Sequence, residues 1–363
     1  MSLLPDAETF KRLVDGSTRG VGPAAARLAL AAASGPYGVA VTIRNAAYDA
    51  GLAAATRVGV PVISVGNLTL GGTGKTPLVA WVARLLLARG LSPAVVSRGY
   101  AARPGETSDE AAELAIVLPG VRHVADRDRV AAARAAVAAG ATAVVLDDGF
   151  QHRRLRRDLD IVAVDATDPF GCGHLFPRGL LREPLGGLAR AGAIVLTRSD
   201  AVTPARRADI RSALAAACGG RLPGAWMEAA HRPVALRSAD GTTRPLGALE
   251  GRRVVAFAGI GNPAAFRGTL AALGADVAEF VAFADHHAYD DRDLDGLGAR
   301  ARAAGAVFVV TTLKDLVKVR RDHLGGVPVA AVEIAMHAIA GDTAVADAVA
   351  SAARLAAPRT LAS

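Results

Sequence analysis

The sequence has few aromatic residues and only two cysteines. Aromatic side chains make up 4% of the 363 residues, whereas the hydrophobic share is 52% and is rich in alanine. This composition favours many alanine-rich helices and argues against a β-sandwich. Cys172 and Cys218 lie far apart in the chain, so they predict neither a disulfide framework nor a clustered metal site. Two isolated thiols are typical of a protein in a reducing compartment.

A secretion signal and a long uninterrupted apolar span are also lacking. The first residues are acidic where a signal peptide would be basic, so no secretion is expected. The uncharged stretch 28–43 lies between Arg27 and Arg44 and contains a Gly-Pro pair at 35–36. A spanning helix needs about 20 apolar residues. The stretch therefore predicts either two short helices at a membrane interface or a buried helical hairpin.

The balance of charge is strongly basic. The net charge is +8, which suits an anionic partner such as nucleic acid, a membrane surface or a phosphorylated substrate. Four arginines within 153–157 could face phosphates or lipid head groups, or could form a solvated surface. Nucleic acid is not the expected partner, because aromatic platforms are scarce and no helix-turn-helix, zinc-finger or RRM motif occurs.

A glycine-rich turn follows the first strand-like run in "VISVGNLTLGGTGKTP", residues 62–77. Such a loop can point backbone N–H groups at a phosphate, and the positive end of the following helix would face the same anion. Lys75 would reach the β- and γ-phosphates, and Thr76 would offer its hydroxyl to Mg²⁺. The turn departs from the P-loop pattern at one place, because Thr69 stands where a glycine is expected. The predicted nucleotide-binding residues are Gly71, Gly72, Thr73, Gly74, Lys75 and Thr76.

Apolar runs alternate with alanine-rich stretches along the rest of the chain, which predicts βαβ units and a parallel sheet. The first set of runs is 93–100, 142–150, 160–166 and 193–200, and the second set is 252–263, 277–287, 306–315 and 327–335. We therefore expect an α/β fold with a P-loop NTPase-like domain and a smaller second α/β domain. The predicted divisions are an N-terminal helical segment at 1–57, the P-loop domain at 58–225, the second domain at 226–340 and a C-terminal helix at 341–363.

Candidate acidic and basic groups follow two of these runs. Asp147 and Asp148 come after an apolar strand, where P-loop enzymes place a carboxylate that holds magnesium. If the strand continues, the two side chains point to opposite sides and have different roles. His286 lies beside Asp285, and a histidine next to a carboxylate suits a general base.

Seven short motifs, taken together, resemble the tetraacyldisaccharide 4'-kinase family, which phosphorylates a lipid A precursor. They occur in the family's order and are "VISVGNLTLGGTGKTP", "VVSRGY", "LDDGFQH", "LFPRGLLREPL", "FAGIGNP", "FADHHAYD" and "TTLKDLVK". The loop of this family commonly has Thr or Ser at the position of Thr69. The resemblance implies a P-loop kinase fold of two α/β domains.

The resemblance also implies ATP and Mg²⁺ as cofactors and an acylated disaccharide phosphate as the lipid substrate. The γ-phosphate would pass to the 4'-hydroxyl of a tetraacyldisaccharide 1-phosphate. The N-terminal segment would then associate with the membrane surface, on the cytoplasmic side of the bacterial inner membrane. No protein partner is implied.

Individual roles follow from the matching motifs. Lys75 and Thr76 would bind phosphates and magnesium, Asp147 and Asp148 would organise the metal, and Glu183 would line the nucleotide site. His286 would pair with a carboxylate to activate the acceptor hydroxyl. The nearest match to the family's "GDEP" motif is "ETSDEAAEL", which assigns this partner to Asp109, with Glu110 as the alternative. The Gly before and the Pro after these two acids are absent.

Two further classes of protein use the same kind of turn. One is a P-loop ATPase that acts as a switch or binds a partner, and the other is a basic nucleic-acid-binding ATPase. A switch protein would not need a second domain that carries the "ADHH" motif. The scarcity of aromatic residues argues against the nucleic-acid-binding ATPase.

Overall fold

The structure, a computed structural model, describes residues 7–99, 109–285 and 287–355. These form two compact units. Unit 1 takes its residues from 1–98, 120–230 and 337–363, and unit 2 takes its residues from 99–119 and 231–336. The units differ from the predicted divisions. The described residues of 99–119 belong to unit 2, those of the N-terminal segment and of the C-terminal helix belong to unit 1, and residues 226–230 and 337–340 also belong to unit 1.

The secondary structure alternates between helices and strands along most of the described chain. The α-helices are α1 Ala7–Val14, α2 Val21–Asp49, α3 Lys75–Leu87, α4 Asp109–Val117, α5 Arg129–Ala138, α6 Pro204–Ala217, α7 Pro263–Ala272, α8 Asp291–Ala303, α9 Leu313–Val319 and α10 Asp342–Leu355. The strands are β1 Val62–Asn67, β2 Pro93–Ser97, β3 Arg122–Ala125, β4 Ala143–Asp147, β5 Leu159–Asp165, β6 Ala193–Thr197, β7 Ala225–Arg237, β8 Thr243–Arg244, β9 Arg253–Ala258, β10 Asp276–Ala282, β11 Phe308–Thr312, β12 His323–Leu324 and β13 Val327–Ala340.

Unit 1 contains a parallel sheet in the order β7-β6-β5-β1-β4-β2-β3. The P-loop strand β1 is central, and every residue in it is buried. Fully buried strands of this kind read as continuous apolar runs, which is why the sequence pattern locates them well. Loops at the carboxyl ends of parallel strands share one edge of the sheet, where α/β proteins bind ligands.

Unit 2 contains the parallel strands β10-β9-β11-β13, with the short β12 antiparallel to β13. Helix α8 begins at a capping box in which Asp290 and Asp293 satisfy each other's backbone N–H groups. Helix α9 follows β11 directly, because Thr312 accepts a hydrogen bond from the Asp315 backbone and caps the helix. The residues that follow β10 and β11 therefore have defined positions within this unit.

The N-terminal apolar stretch differs from both sequence expectations. It is one continuous helix of 29 residues, α2, with Pro36 inside it, and not two short helices or a hairpin. Proline removes one backbone donor from a helix, here the one that would bond the Ala32 carbonyl, yet α2 continues on both sides of Pro36. The helix is long and apolar enough to cross a membrane by length and composition alone.

Candidate functional site

The glycine-rich loop between β1 and α3 is anchored through its backbone carbonyls. Asn67 donates to the Thr69 carbonyl at 2.6 Å, and Thr197 of β6 donates to the Thr73 carbonyl at 2.9 Å. The Arg198 guanidinium donates to the carbonyl of Gly72 at 3.0 Å. Side chains from the ends of two strands therefore hold the loop in one shape.

The loop uses glycine where the backbone turns into the left-handed region. Gly71 has φ 108° and Gly74 has φ 75°, and both conformations are costly for a residue with a side chain. Gly74 is the residue before α3, so Lys75 and Thr76 occupy the first turn of that helix. This is the arrangement that lets a helix N-terminus and a loop hold a phosphate together.

Lys75 faces a carboxylate at this edge of unit 1. Its Nζ atom lies 3.3 Å from Asp148 Oδ1 and 3.1 Å from Asn67 Oδ1. Arg182 lies on the other side of Asp148, with Nη1 2.8 Å from both carboxylate oxygens. Burial opposes ionisation of Asp148, but the charges of Lys75 and Arg182 outweigh it and hold the pKa of the carboxyl below its ordinary value. Asp148 is therefore a carboxylate at neutral pH.

Asp147 and Asp148 occupy different surroundings, for a reason other than strand alternation. Strand β4 ends at Asp147, which pairs with Val65 of β1 and is buried. Asp148 has φ 51° and has left the strand, so the condition for strand alternation is not met. The buried Arg129 donates to the Asp147 carbonyl at 3.3 Å and fixes the chain at this turn.

The oxygen donors at this edge suit magnesium. They are the Thr76 hydroxyl and the carboxylates of Asp147 and Asp148. In the part of the chain that the structure describes, no group of three or more His, Cys, Asp or Glu side chains could hold a metal ion. Magnesium needs no such cage, because it is bound by one or two carboxylates together with substrate phosphates and waters. These residues therefore fit a nucleotide-bound Mg²⁺ better than a structural zinc.

Glu183 lies in a buried network behind the loop. Its side chain is fully buried and accepts hydrogen bonds from Arg190 at 2.7 Å, Gln151 at 3.0 Å and Asn45 of α2 at 2.9 Å. Gln151 also donates to the Asn67 carbonyl at 2.9 Å. Glu183 thus connects α2 with the strand residue that contacts Lys75, whereas the sequence suggested that it lines the nucleotide site.

One face of α2 packs on unit 1 and the opposite face is apolar and exposed. On the packed face, the Tyr37 hydroxyl donates to the Arg182 carbonyl at 2.7 Å, and the Ser34 hydroxyl donates to the Leu175 carbonyl at 3.0 Å. Several large apolar side chains on α2 are exposed: Val21, Leu28, Val39 and Ile43. At about 100° per residue these four fall within roughly 60° of arc, away from the packed face.

The arginine cluster after β4 is largely occupied by carboxylates within unit 1. Arg153 pairs with Asp49 at 2.7 Å, and Arg157 pairs with Asp160 at 2.9 Å in a mostly buried contact. Arg154 contacts Asp128 at 3.2 Å. Three of the four arginines thus pair with carboxylates of unit 1, a role that the sequence analysis did not consider.

Unit 2 holds the second group of predicted residues. Asp109 is the first residue of α4, and its Oδ2 atom lies 3.4 Å from Lys318 Nζ of α9. His286 lies outside the described residues, and so does the side chain of Glu110. His287 is engaged elsewhere, with Nε2 2.7 Å from Asp293 and its ring stacked on Phe283. Asp285 pairs with Lys314 of α9 at 3.0 Å.

Sequence reasoning missed several residues that build these sites. Asn67 contacts Lys75, and Gln151 contacts Glu183. Arg182 contacts Asp148, and Lys318 contacts Asp109. Each lies inside a motif that was quoted for the resemblance, but single residue types gave no reason to choose it. In the sequence these residues stand out only by lying in or near a motif that contains a predicted site residue. Only the contacts in the structure show which of the many residues in those motifs reach it.

Comparison with known proteins identifies the family. A family model described as tetraacyldisaccharide-1-P 4'-kinase matches residues 26–353. The chain belongs to the tetraacyldisaccharide 4'-kinase family. A family member from Anaeromyxobacter dehalogenans is 47% identical over 306 residues, which cover 79% of each chain. One from Geobacter metallireducens is 43% identical over 80% of this chain and 87% of its own.

A solved family structure has the same fold. The crystal structure of LpxK from Aquifex aeolicus in complex with ATP is 30% identical and has a TM-score of 0.73. The match covers 90% of this chain and 99% of that chain. The P-loop NTPase-like α/β fold with an N-terminal helical segment, which the sequence predicted, is confirmed, although the apolar stretch of that segment is one long helix.

Proposed function

We propose that the protein is an ATP-dependent lipid kinase that transfers the γ-phosphate of ATP to the 4'-hydroxyl of a tetraacyldisaccharide 1-phosphate. The observation that carries this proposal is the contact of Lys75 with Asp148 at the end of an anchored glycine-rich loop. Membership of the family gives the acceptor class. A P-loop ATPase switch, the alternative from the sequence, is not favoured.

The loop would hold the phosphates of ATP. Lys75 has its Nζ atom beside Asp148 and Asn67, and a bound phosphate would compete for this cation. Because Arg182 also contacts Asp148, that carboxylate keeps a cationic partner when Lys75 moves to the phosphates. Positive charge aimed at the transferring group is the main means by which proteins accelerate phosphoryl transfer.

Mg²⁺ would be held by Thr76, Asp147 and Asp148. When bound, the ion neutralises charge that develops on the β- and γ-phosphates. Glu183 lies behind the loop, where it accepts from Gln151 and Arg190. We assign it a positioning role, because its oxygens already accept three N–H donors and its side chain has no exposed surface.

Asp109 and His286 would activate the acceptor hydroxyl. A sugar hydroxyl is a weak nucleophile at neutral pH, so a base that accepts its proton assists the transfer by about 10²–10⁴-fold. Asp109 is partly exposed and can therefore reach a substrate. His286 would share or orient the proton with Asp109.

The exposed face of α2 would lie on the membrane that contains the lipid substrate. A helix with one face hydrogen-bonded to protein and the other apolar suits an interfacial position better than a span. An open apolar depression lies between α2 and Leu175, lined by Gly38, Val39, Thr42 and Ile43. Acyl chains match this lining in chemistry. We place the protein on the cytoplasmic side of the bacterial inner membrane, where ATP is available.

The experiment that tests this function compares ATP turnover with different acceptors. Purified protein is mixed with ATP, Mg²⁺ and a detergent-dispersed tetraacyldisaccharide 1-phosphate, and phosphate incorporation into the lipid is measured. The same lipid already phosphorylated at the 4' position, and duplex DNA, are the control acceptors. Turnover that is independent of the lipid would instead support a switch or partner-binding ATPase.

A further inference from the structure

Lys318 of α9 links three segments of unit 2. Its Nζ atom lies 3.4 Å from Asp109 Oδ2 on α4, 3.3 Å from the His287 carbonyl and 3.8 Å from Asp315 Oδ1. Only about a tenth of the Lys318 side chain is exposed. A lysine with this degree of burial and these oxygen neighbours is fixed in place, unlike a solvated surface lysine.

Asp315 explains why the Lys318 cation is held there. Asp315 is fully buried, and its Oδ2 atom accepts from the Gly259 N–H at 3.1 Å and from the Thr312 hydroxyl at 2.7 Å. A buried carboxylate is stable only when opposite charge and hydrogen bonds compensate the loss of water. The other oxygen, Oδ1, faces Lys318. Asp315 therefore fixes the ammonium group from the protein interior.

The surroundings of Asp315 leave little freedom for adjustment. A side chain at Gly259 would approach both the Tyr289 hydroxyl, at 2.8 Å, and Asp315 Oδ1, at 3.2 Å. Burial and the charge of Asp315 raise the pKa of Tyr289 above its ordinary value, so this hydroxyl stays neutral. The Lys318 ammonium therefore lies against a carboxylate that is itself fixed by burial and by two hydrogen bonds.

Helix α9 also contacts the residues on both sides of position 286. Lys314 pairs with Asp285 at 3.0 Å, and Lys318 donates to the His287 carbonyl. Lys314 and Lys318 are four residues apart and share one face of the helix. One helix face thus holds Asp109 and the two neighbours of His286, the two groups assigned to the acceptor hydroxyl.

We propose that Lys318 is a positioning residue for phosphoryl transfer, which holds the Asp109 carboxylate in place beside the His287 backbone. The inference rests on the proposed function and extends it to a residue that does not touch the reacting atoms. Misplacement of a catalytic group by about 1 Å can cost 10²-fold in rate, so the effect is measurable.

The test compares Lys318→Met with Lys318→Arg. We expect Lys318→Met to lower kcat about 10²-fold, with KM for ATP within about twofold of the wild type. Lys318→Arg keeps the charge and should retain at least tenfold more kcat than Lys318→Met. A kcat of Lys318→Met within about threefold of the wild type would overturn the inference.

A double-mutant cycle separates positioning from general destabilisation. If Lys318 acts through Asp109, Lys318→Met should cause little further loss of kcat in the Asp109→Asn background. Losses that multiply would show an independent effect and overturn the inference. Thermal unfolding of every variant accompanies the kinetics, because a purely structural role would lower Tm without this dependence on Asp109.

Two controls keep the outcome decisive. If Lys318→Met does not fold, kcat is compared between Lys318→Gln and Lys318→Arg instead. Equal kcat values for these two variants would overturn the inference. A wild-type rate in Asp109→Asn would show that Asp109 does not assist activation of the acceptor hydroxyl, and it would overturn the Lys318 inference as well. Lys75→Ala, in unit 1, would still report separately on the proposed phosphoryl transfer.

Discussion

Lys75 Nζ lies 3.3 Å from Asp148 Oδ1, so the first residue of α3 contacts the residue that follows β4. The two come together because β1 and β4 are parallel neighbours, with Val65 opposite Asp147. A candidate phosphate-binding cation and a candidate magnesium ligand thus share one edge of the unit 1 sheet.

Replacing Lys75 by alanine should nearly abolish phosphoryl transfer. Removal of one preorganised group that stabilises the transition state costs about 10²–10³-fold in kcat. The measurement is kcat with saturating ATP and lipid. Arg206→Ala, an exposed position on α6, is the matched control for loss of a positive charge and should keep the wild-type rate. Near-normal kcat in the Lys75→Ala variant would show that the loop does not take part in phosphoryl transfer.

Glu183→Ala should destabilise unit 1 strongly. The change leaves Arg190 without its carboxylate partner in a buried position, and breaking such a pair costs about 3–5 kcal/mol. Denaturant unfolding measures this cost. The matched comparison is Glu183→Gln, which keeps the shape and one acceptor and should cost less. ATP affinity of the folded Glu183→Gln protein should stay near normal, and a large loss would instead indicate direct contact with the nucleotide.

Charge placed on the exposed face of α2 should weaken membrane binding. Val39→Glu and Ile43→Glu put carboxylates on the apolar face, whereas Ser34, Tyr37 and Asn45 keep the helix attached to unit 1. We expect reduced sedimentation with anionic phospholipid vesicles and unchanged ATP affinity. Val307→Glu adds the same charge at an exposed valine of unit 2 and is the control. Equal sedimentation of all variants would argue that α2 does not touch the membrane.

His286→Ala and Asp109→Ala should each lower kcat by about 10²–10⁴-fold with ATP affinity nearly kept. Residues that act as a unit are not additive, so the double variant should be little worse than either single variant. His287→Ala is the control, because the side chain of His287 contacts Asp293, Phe283 and Tyr289 and its loss should have a small effect. If the two losses multiply, the pair does not act together, and a silent Asp109→Ala would turn attention to Glu110.

Mild acid should lower the stability of unit 1 through His123. Burial lowers the pKa of this histidine from 6.5 to about 4, so the unfolded chain binds a proton between these values when the folded chain does not. Stability therefore falls as pH drops from about 6.5 to about 4, by about 1–3 kcal/mol for this group. Urea unfolding at pH 7 and pH 4.5 measures the change.

His123→Gln should reduce this pH dependence, because glutamine does not titrate. His174→Gln is the control, since His174 is exposed. An unchanged slope of stability against pH in His123→Gln would show that other groups cause the acid sensitivity.

The sequence by itself determined most of the sheet. The apolar runs at 93–100, 142–150, 160–166 and 193–200 became β2, β4, β5 and β6, and the second set became β9, β10, β11 and β13. Strands buried on both faces are apolar throughout, so a local pattern reveals them. The Gly-Lys-Thr end of the loop could also be predicted from the sequence, because the residues that define it are adjacent in the chain.

The sequence predicted strand β7 and helix α2 less well. The chain from 220 to 250 read as a connection, yet Ala225–Arg237 is one long strand. Its residues are a mixture of buried, half-buried and exposed positions and give no continuous apolar run. The Gly-Pro pair at 35–36 suggested a break, but α2 continues through it because its other face is held by unit 1. Packing across the chain overrides a local preference in both places.

Only the tertiary structure decided which polar residues serve the candidate sites. Glu183 meets Asn45 across 138 positions of sequence, and Lys318 lies beside Asp109, which is more than 200 residues earlier in the chain. Such partners leave no periodic or local signal. The physical reason is that a buried charge is stabilised by whichever donors the fold brings to it, and sequence separation does not limit that choice.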